Sequence, residues 1–169
     1  MTPLLLPLES PALAAPGDQA LLQRLKKLPR RAQQVFLLSR LDQWSFAMIA
    51  EHLAIPPSTV ERYMNQVLQS VQPATDPLAR EAGYWYVRLQ NPQITASERI
   101  DFRRWLDSAP AHLTAFHATE LRWRSLLAPA QVLGDGHGYR QARPALSLGG
   151  CSVAIAVLLG TLLTLGFCA

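Results

Sequence analysis

The chain has 169 residues, enough for one ordinary domain or two small ones. Its 16 basic and 12 acidic side chains leave a net charge of +4, and its two cysteines, Cys151 and Cys168, both fall in an apolar stretch at the end. This composition excludes a disulfide-stapled fold for the rest. The four histidines lack the carboxylate or cysteine spacing of a metal site, and no nucleophile elbow or nucleotide loop is present, so no enzyme activity, cofactor, metal or small-molecule substrate is expected.

The opening MTPLLLPLESPALAAPG has no early Lys or Arg, and Pro3, Pro7 and Pro11 interrupt its apolar residues. Both features argue against a secretory signal, and residues 1–18 are expected to be a disordered leader. From Gln19 the pattern becomes helical, and no later stretch alternates like a strand, so the soluble part is expected to be all-α. Gln19 to Lys27 reads as a short helix. Pro29 suits the first turn of the next, which runs to about Leu41 with Val35, Leu38 and Leu41 on one face. Ser45 can cap a helix from Phe46 to Leu53, with Ile49, Ala50 and Leu53 inward.

After the tight turn AIPP, a further helix carries Val60, Tyr63, Met64 and Val67 at helical spacing. That stripe leaves Ser58, Thr59, Glu61, Arg62, Asn65 and Gln66 outside. Pro56 has no side-chain acceptor, so this helix is expected to start at Ser58 with Glu61 completing a capping box. Residues 19–72 hold seven bases (Arg24, Lys26, Lys27, Arg30, Arg31, Arg40 and Arg62) and three acids (Asp42, Glu51 and Glu61); seven minus three equals the net charge of the whole chain. A basic helical segment suits a polyanion such as DNA.

VQPATDP (Val71 to Pro77) breaks this pattern, and residues 76–128 read as a second bundle of three helices. Asp76 is an N-cap followed by a first-turn proline, and Leu78, Ala82, Trp85 and Leu89 share a face. Thr95 and Glu98 form a capping box before a helix bearing Ile100, Phe102, Trp105 and Leu106. Ser108 and Pro110 start the third helix, whose Leu113, Phe116, Leu121, Trp123 and Leu127 are apolar. The tryptophans suit either a packed core or an aromatic surface kept for a partner. Residues 129–145, with Gly134, Gly136 and Gly138, read as a linker.

From Pro144 to Ala169 there is no charged residue. A helix from Leu146 to Cys168 would be roughly 34 Å long, enough to cross a hydrocarbon core of about 30 Å. A single transmembrane helix is therefore expected at 146–168. Arg140 and Arg143 precede it and nothing basic follows, which places the N-terminal bulk on the cytoplasmic side of a bacterial inner membrane.

The run LKKLPRRAQQVFLLSRLDQWSFAMIAEHLAIPPSTVERYMNQVLQ resembles region four of extracytoplasmic-function sigma factors. Leu28-Pro29, VFLLSRLDQWSF, IAEHLAI and STVERY carry the likeness. It implies a helix-turn-helix whose last helix enters the major groove at the promoter's −35 element, in a domain that also binds the polymerase flap. Ser58, Thr59, Arg62 and Gln66 would then face bases or phosphates, as hydroxyl, guanidinium and amide groups can. Arg30 and Arg31, at a helix start, could hold a phosphate. Pro56 departs from the family's usual capping Ser or Thr, and Met48 replaces a usual Glu. Nothing resembles region two, so an autonomous sigma factor is not expected.

Residues 76–128 are similar to the cytoplasmic N-terminal domain of FecR-type anti-sigma regulators, on Trp105-Leu106, Ser108, Pro110-Ala111-His112 and Phe116. That resemblance implies a module that binds a sigma factor, with Trp85, Trp105, Leu106 and Trp123 as candidate contacts, and iron or siderophore-type signalling. The combined expectation is a membrane-anchored regulator of sigma-dependent transcription initiation, with promoter DNA, RNA polymerase or a sigma factor, and the inner membrane as partners. A membrane-bound one-component helix-turn-helix regulator and a protein-interaction remnant without DNA binding are the alternatives. Whether the two bundles dock on each other is left open by the short connection between them.

Overall fold

Apolar residues at helical spacing condense into eight α-helices and one 3-10 turn, with no strand, among the residues described by the computed structural model: 16–72, 75–136 and 138–141. The leader up to residue 15, the expected span at 146–168 and both cysteines lie outside them. Among the described residues no helix is long and apolar enough to cross a membrane.

The first four helices are α1 (Pro16–Lys26), α2 (Arg30–Arg40), α3 (Phe46–Leu53) and α4 (Pro57–Val71). α1 thus begins inside the stretch expected to be leader. Pro29 caps α2 rather than entering its first turn. Ser45 Oγ accepts from the Met48 N–H at 3.3 Å, so α3 starts where a hydroxyl can satisfy one of its free donors. Ala54 ends α3 in the left-handed conformation, φ 52°, and turns the chain into α4.

The expected capping box at Ser58 and Glu61 does not form. α4 has Pro56 as its N-cap and Pro57 at its first position, without a side-chain cap. Proline has the φ that a helix start requires and no N–H left to satisfy, so the helix begins one residue earlier than expected. Glu61 is then not exposed but 9% accessible, and its carboxylate is used elsewhere.

The second group comprises α5 (Pro77–Arg88), α6 (Ala96–Ser108) and α7 (Pro110–Ser125). Asp76 accepts from the N–H groups of Leu78 and Ala79 at 3.0 and 3.1 Å, and Thr95 with Glu98 closes a reciprocal capping box. α7 has no side-chain cap: Ala109 precedes it, and Ser108 Oγ donates back to the Trp105 carbonyl. Several apolar residues expected inside are outside, Ile100, Leu113, Leu127 and above all Leu121 at 63% accessible. Leu121 borders a shallow cleft with Leu21 of the first group.

The stretch read as a linker is largely folded. α8 (Leu127–Gly134) packs along α1, burying Pro129 and Ala130, and a 3-10 turn (Gly138–Arg140) lies against α2. Its Pro129 sits in a first turn, where proline is tolerated, so it starts a helix instead of breaking one. Gly134 is there for lack of space: a Cβ would stand 2.6 Å from Leu41 Cδ1. Beyond it, Gln34 Nε2 donates to the carbonyls of Tyr139 and Gln141 at 2.6 and 2.9 Å, Arg140 pairs with Asp42 at 2.5 Å, and His52 Nε2 donates to the Arg140 carbonyl at 2.9 Å. A single core runs through both groups, from Leu25, Phe36, Ile49, Met64 and Leu68 to Val87, Trp123, Leu126 and Ala130.

Candidate nucleic-acid interface

α4 buries Val60, Met64, Val67, Leu68 and Val71, a three-and-four spacing that turns Ser58, Arg62 and Gln66 outward. With Pro29, Tyr63, Asn65 and Gln69 these three line an open groove of about 670 Å³. The Arg62 guanidinium lies 5.4 Å from the Tyr63 ring centroid, which steadies a cation at the groove wall. Thr59 is half-buried on the same helix and does not line the groove.

Arg30 and Arg31 are elsewhere. They border a separate cavity of about 330 Å³ between the start of α2 and the α8–turn segment, together with Gln34, Leu133, Asp135 and Tyr139. Arg31 Nη1 donates to Gln34 Oε1 at 3.1 Å. The fold therefore gathers Ser58, Arg62 and Gln66, leaves Thr59 beside them, and sets the two α2 arginines apart.

Glu61 lines the same groove and is bound from the second group. Its Oε2 accepts from Arg88 Nη1 at 2.9 Å and from Asn91 Nδ2 at 2.7 Å. Arg88 also donates to Glu98 Oε1 through Nε at 2.9 Å and Nη2 at 2.6 Å. Hydrogen bonding to Glu98 first, then to Glu61, raises the Arg88 pKa above its ordinary value despite some desolvation. The Thr95 N–H, the Thr95 hydroxyl and Arg88 together pull the Glu98 carboxyl down to about 2. Sequence reasoning missed Arg88 and Asn91. Neither belongs to a motif, and their partner lies 27 and 30 residues away.

The rest of the seam is aromatic and polar. Trp123, 9% accessible, meets Phe36 edge-on at 5.7 Å between centroids, and the Arg40 guanidinium lies 5.3 Å from its ring. Desolvation lowers the Arg40 pKa. Arg40 Nη2 donates to the Arg124 carbonyl at 3.1 Å and Arg122 Nη1 to the Val71 carbonyl at 2.8 Å. Trp123, a candidate contact for a separate sigma factor, is thus spent on the chain's own first group. Trp85, Trp105 and Leu106 stay half-buried. Trp85 and Trp105 pack around Phe102, and His112 stacks on Trp105 at 4.7 Å with planes 8° apart. The indole N–H groups of Trp85 and Trp105 have no acceptor among the described residues.

Residues 80–121 match a domain of unknown function, DUF4880, and residues 18–71 match sigma-70, region 4. No curated protein and no solved structure matches the chain. Sigma region 4 domains generally bind promoter DNA and RNA polymerase, and their pairing with DUF4880 points to sigma/anti-sigma-type regulation. The first four helices thus carry the match to sigma-70, region 4, and the helices that match DUF4880 are fastened along their flank through a shared core.

Proposed function

We propose that the chain is a membrane-anchored regulator of sigma-dependent transcription initiation, in which a FecR-type anti-sigma module is held in cis against a region 4 domain. The DUF4880 match supports that module, and in this reading the apolar tail at 146–168 is the anchor at the bacterial inner membrane, with the N-terminal bulk facing the cytoplasm. Promoter DNA and RNA polymerase are the partners of the region 4 domain; iron or siderophore-type signalling is the setting that the FecR likeness implies.

One observation carries this reading. The second module covers the flank of α4 that holds Glu61 and Leu68, yet Ser58, Arg62 and Gln66 stay exposed to solvent on the adjacent face. A hydroxyl, a guanidinium and an amide in one groove are groups that contact phosphates and base edges. Cis docking also occupies Trp123, which disfavours capture of a separate sigma factor through the same surface.

The test uses the full-length chain in mild detergent. It is expected to bind a DNA duplex with a steep salt dependence, and Arg62→Ala is expected to weaken binding and lower the slope of log K against log salt by about 1. RNA polymerase is expected to co-purify with the chain, which should itself partition with membranes. A freely soluble product, or a chain that binds neither duplex nor polymerase, refutes the proposal.

A further inference from the structure

Glu61 is an acid on the wall of the groove that Ser58, Arg62 and Gln66 share, where a bare carboxylate would repel a phosphate backbone. It is not bare. Arg88 and Asn91, both from the second module, donate to the same oxygen, Oε2, at 2.9 and 2.7 Å. The other residues lining the groove are Pro29, Ser58, Arg62, Tyr63, Asn65, Gln66 and Gln69. Their ionised members are Arg62 and Glu61, which cancel, so the sign of the groove is decided by what stands behind Glu61.

Arg88 stands there. It presents one edge of its guanidinium to Glu61 at 2.9 Å and the other to Glu98 at 2.6 Å. Neither Arg88 nor Glu98 lines the groove. Glu98 bonds the edge of the Arg88 guanidinium turned away from Glu61, and its second oxygen is taken by the N–H and hydroxyl of Thr95, so Arg88 is the nearer of the two charges to the groove wall. A screened charge a few ångströms behind a groove wall acts well within one Debye length, about 8–10 Å at ordinary ionic strength. We infer that Arg88, seated by Asn91 and Glu98, is a positioning residue of the DNA site: it neutralises Glu61 and lets the groove of α4 accept a nucleic-acid backbone. The second module then completes the binding surface of the region 4 domain instead of only masking it. This inference rests on the DNA-binding reading proposed above.

The experiment is a charge-repair cycle on the full-length chain in detergent, with a fluorescein-labelled random-sequence DNA duplex of about three helical turns followed by anisotropy at low salt. Arg88→Met is expected to weaken binding about fivefold to tenfold, an effect that fades as salt is raised. Glu61→Gln, which removes the negative charge from the groove wall and leaves Arg88 in place, is expected to bind tighter than the unaltered chain, most clearly at low salt. Combining Glu61→Gln with Arg88→Met removes both charges of the pair and is expected to bring affinity back to within about twofold of the unaltered chain. Circular dichroism of each variant reports whether the helices are intact.

Three results overturn the inference: unchanged binding by Arg88→Met, tighter binding by it (the module is then a mask), or a double variant as weak as Arg88→Met alone (the bridge is then only structural). Weakening by Arg62→Ala with no effect of Arg88→Met refutes this inference and leaves the DNA-binding reading standing. No duplex binding by the unaltered chain refutes both.

Discussion

Trp123→Ala empties the seam between the two modules. The indole is 9% accessible and touches Phe36 and Tyr86 at 5.7 and 5.9 Å between ring centroids, with the Arg40 guanidinium over it at 5.3 Å. Truncating a buried tryptophan costs about 3–5 kcal/mol when the site cannot collapse. The ring also faces the Arg40 cation, whose Nε has no hydrogen-bond partner among the described residues, and losing that contact adds about 1 kcal/mol. A loss of about 4–6 kcal/mol is a large part of the roughly 5–15 kcal/mol by which domains are stable. Equilibrium urea unfolding of the full-length chain, followed by far-ultraviolet circular dichroism and by tryptophan fluorescence, reads the effect. One shared core implies coincident transitions for the unaltered chain. The variant is expected to unfold at a much lower midpoint or to separate into two steps. A variant that loses less than about 1 kcal/mol and keeps one coincident transition refutes the shared core.

Two further outcomes follow from local geometry. Gly134→Ala drives a Cβ to 2.6 Å from Leu41 Cδ1 and 3.1 Å from Tyr139 Cε1, so overpacking is expected to cost about 1–3 kcal/mol in a thermal melt. Glu98 has a folded-state pKa of about 2 against an ordinary 4.5, which means it stabilises the fold above the ordinary value and ceases to do so as pH falls through about 2. The thermal midpoint should therefore drop between about pH 4.5 and pH 2, and Glu98→Gln should lower it at neutral pH and flatten that dependence. An unchanged acid profile in the variant would show that Glu98 contributes nothing through this carboxylate.

Most individual helices were readable from the chain because each carries its own local signal. Ser45, Asp76 and Thr95 with Glu98 stand at helix starts and bond there as their side chains suggest. The apolar stripe of α4 likewise fixes which way Ser58, Arg62 and Gln66 point. What was not readable is how the helices meet. Glu61 looked like a capping residue because its partner Arg88 is 27 positions away, and no periodicity links the two. Trp123 was a candidate partner contact as well as a core residue, since an indole serves both, and Phe36 opposite it places it in the core. α8 was hidden by Pro129 and the glycines after it, residues that usually punctuate loops and here open a helix and give clearance to Leu41.

Consider last the clasp at Gln34, Asp42 and His52. It grips residues 139–141, so whatever pulls on the chain beyond them pulls first on α2 and α3, not on the DUF4880 helices. A tug along the tail would be delivered to the helix-turn-helix itself, through a handful of polar contacts at the surface. The module that touches α4 and the 3-10 turn that touches α2 thus hold the first four helices from two different sides.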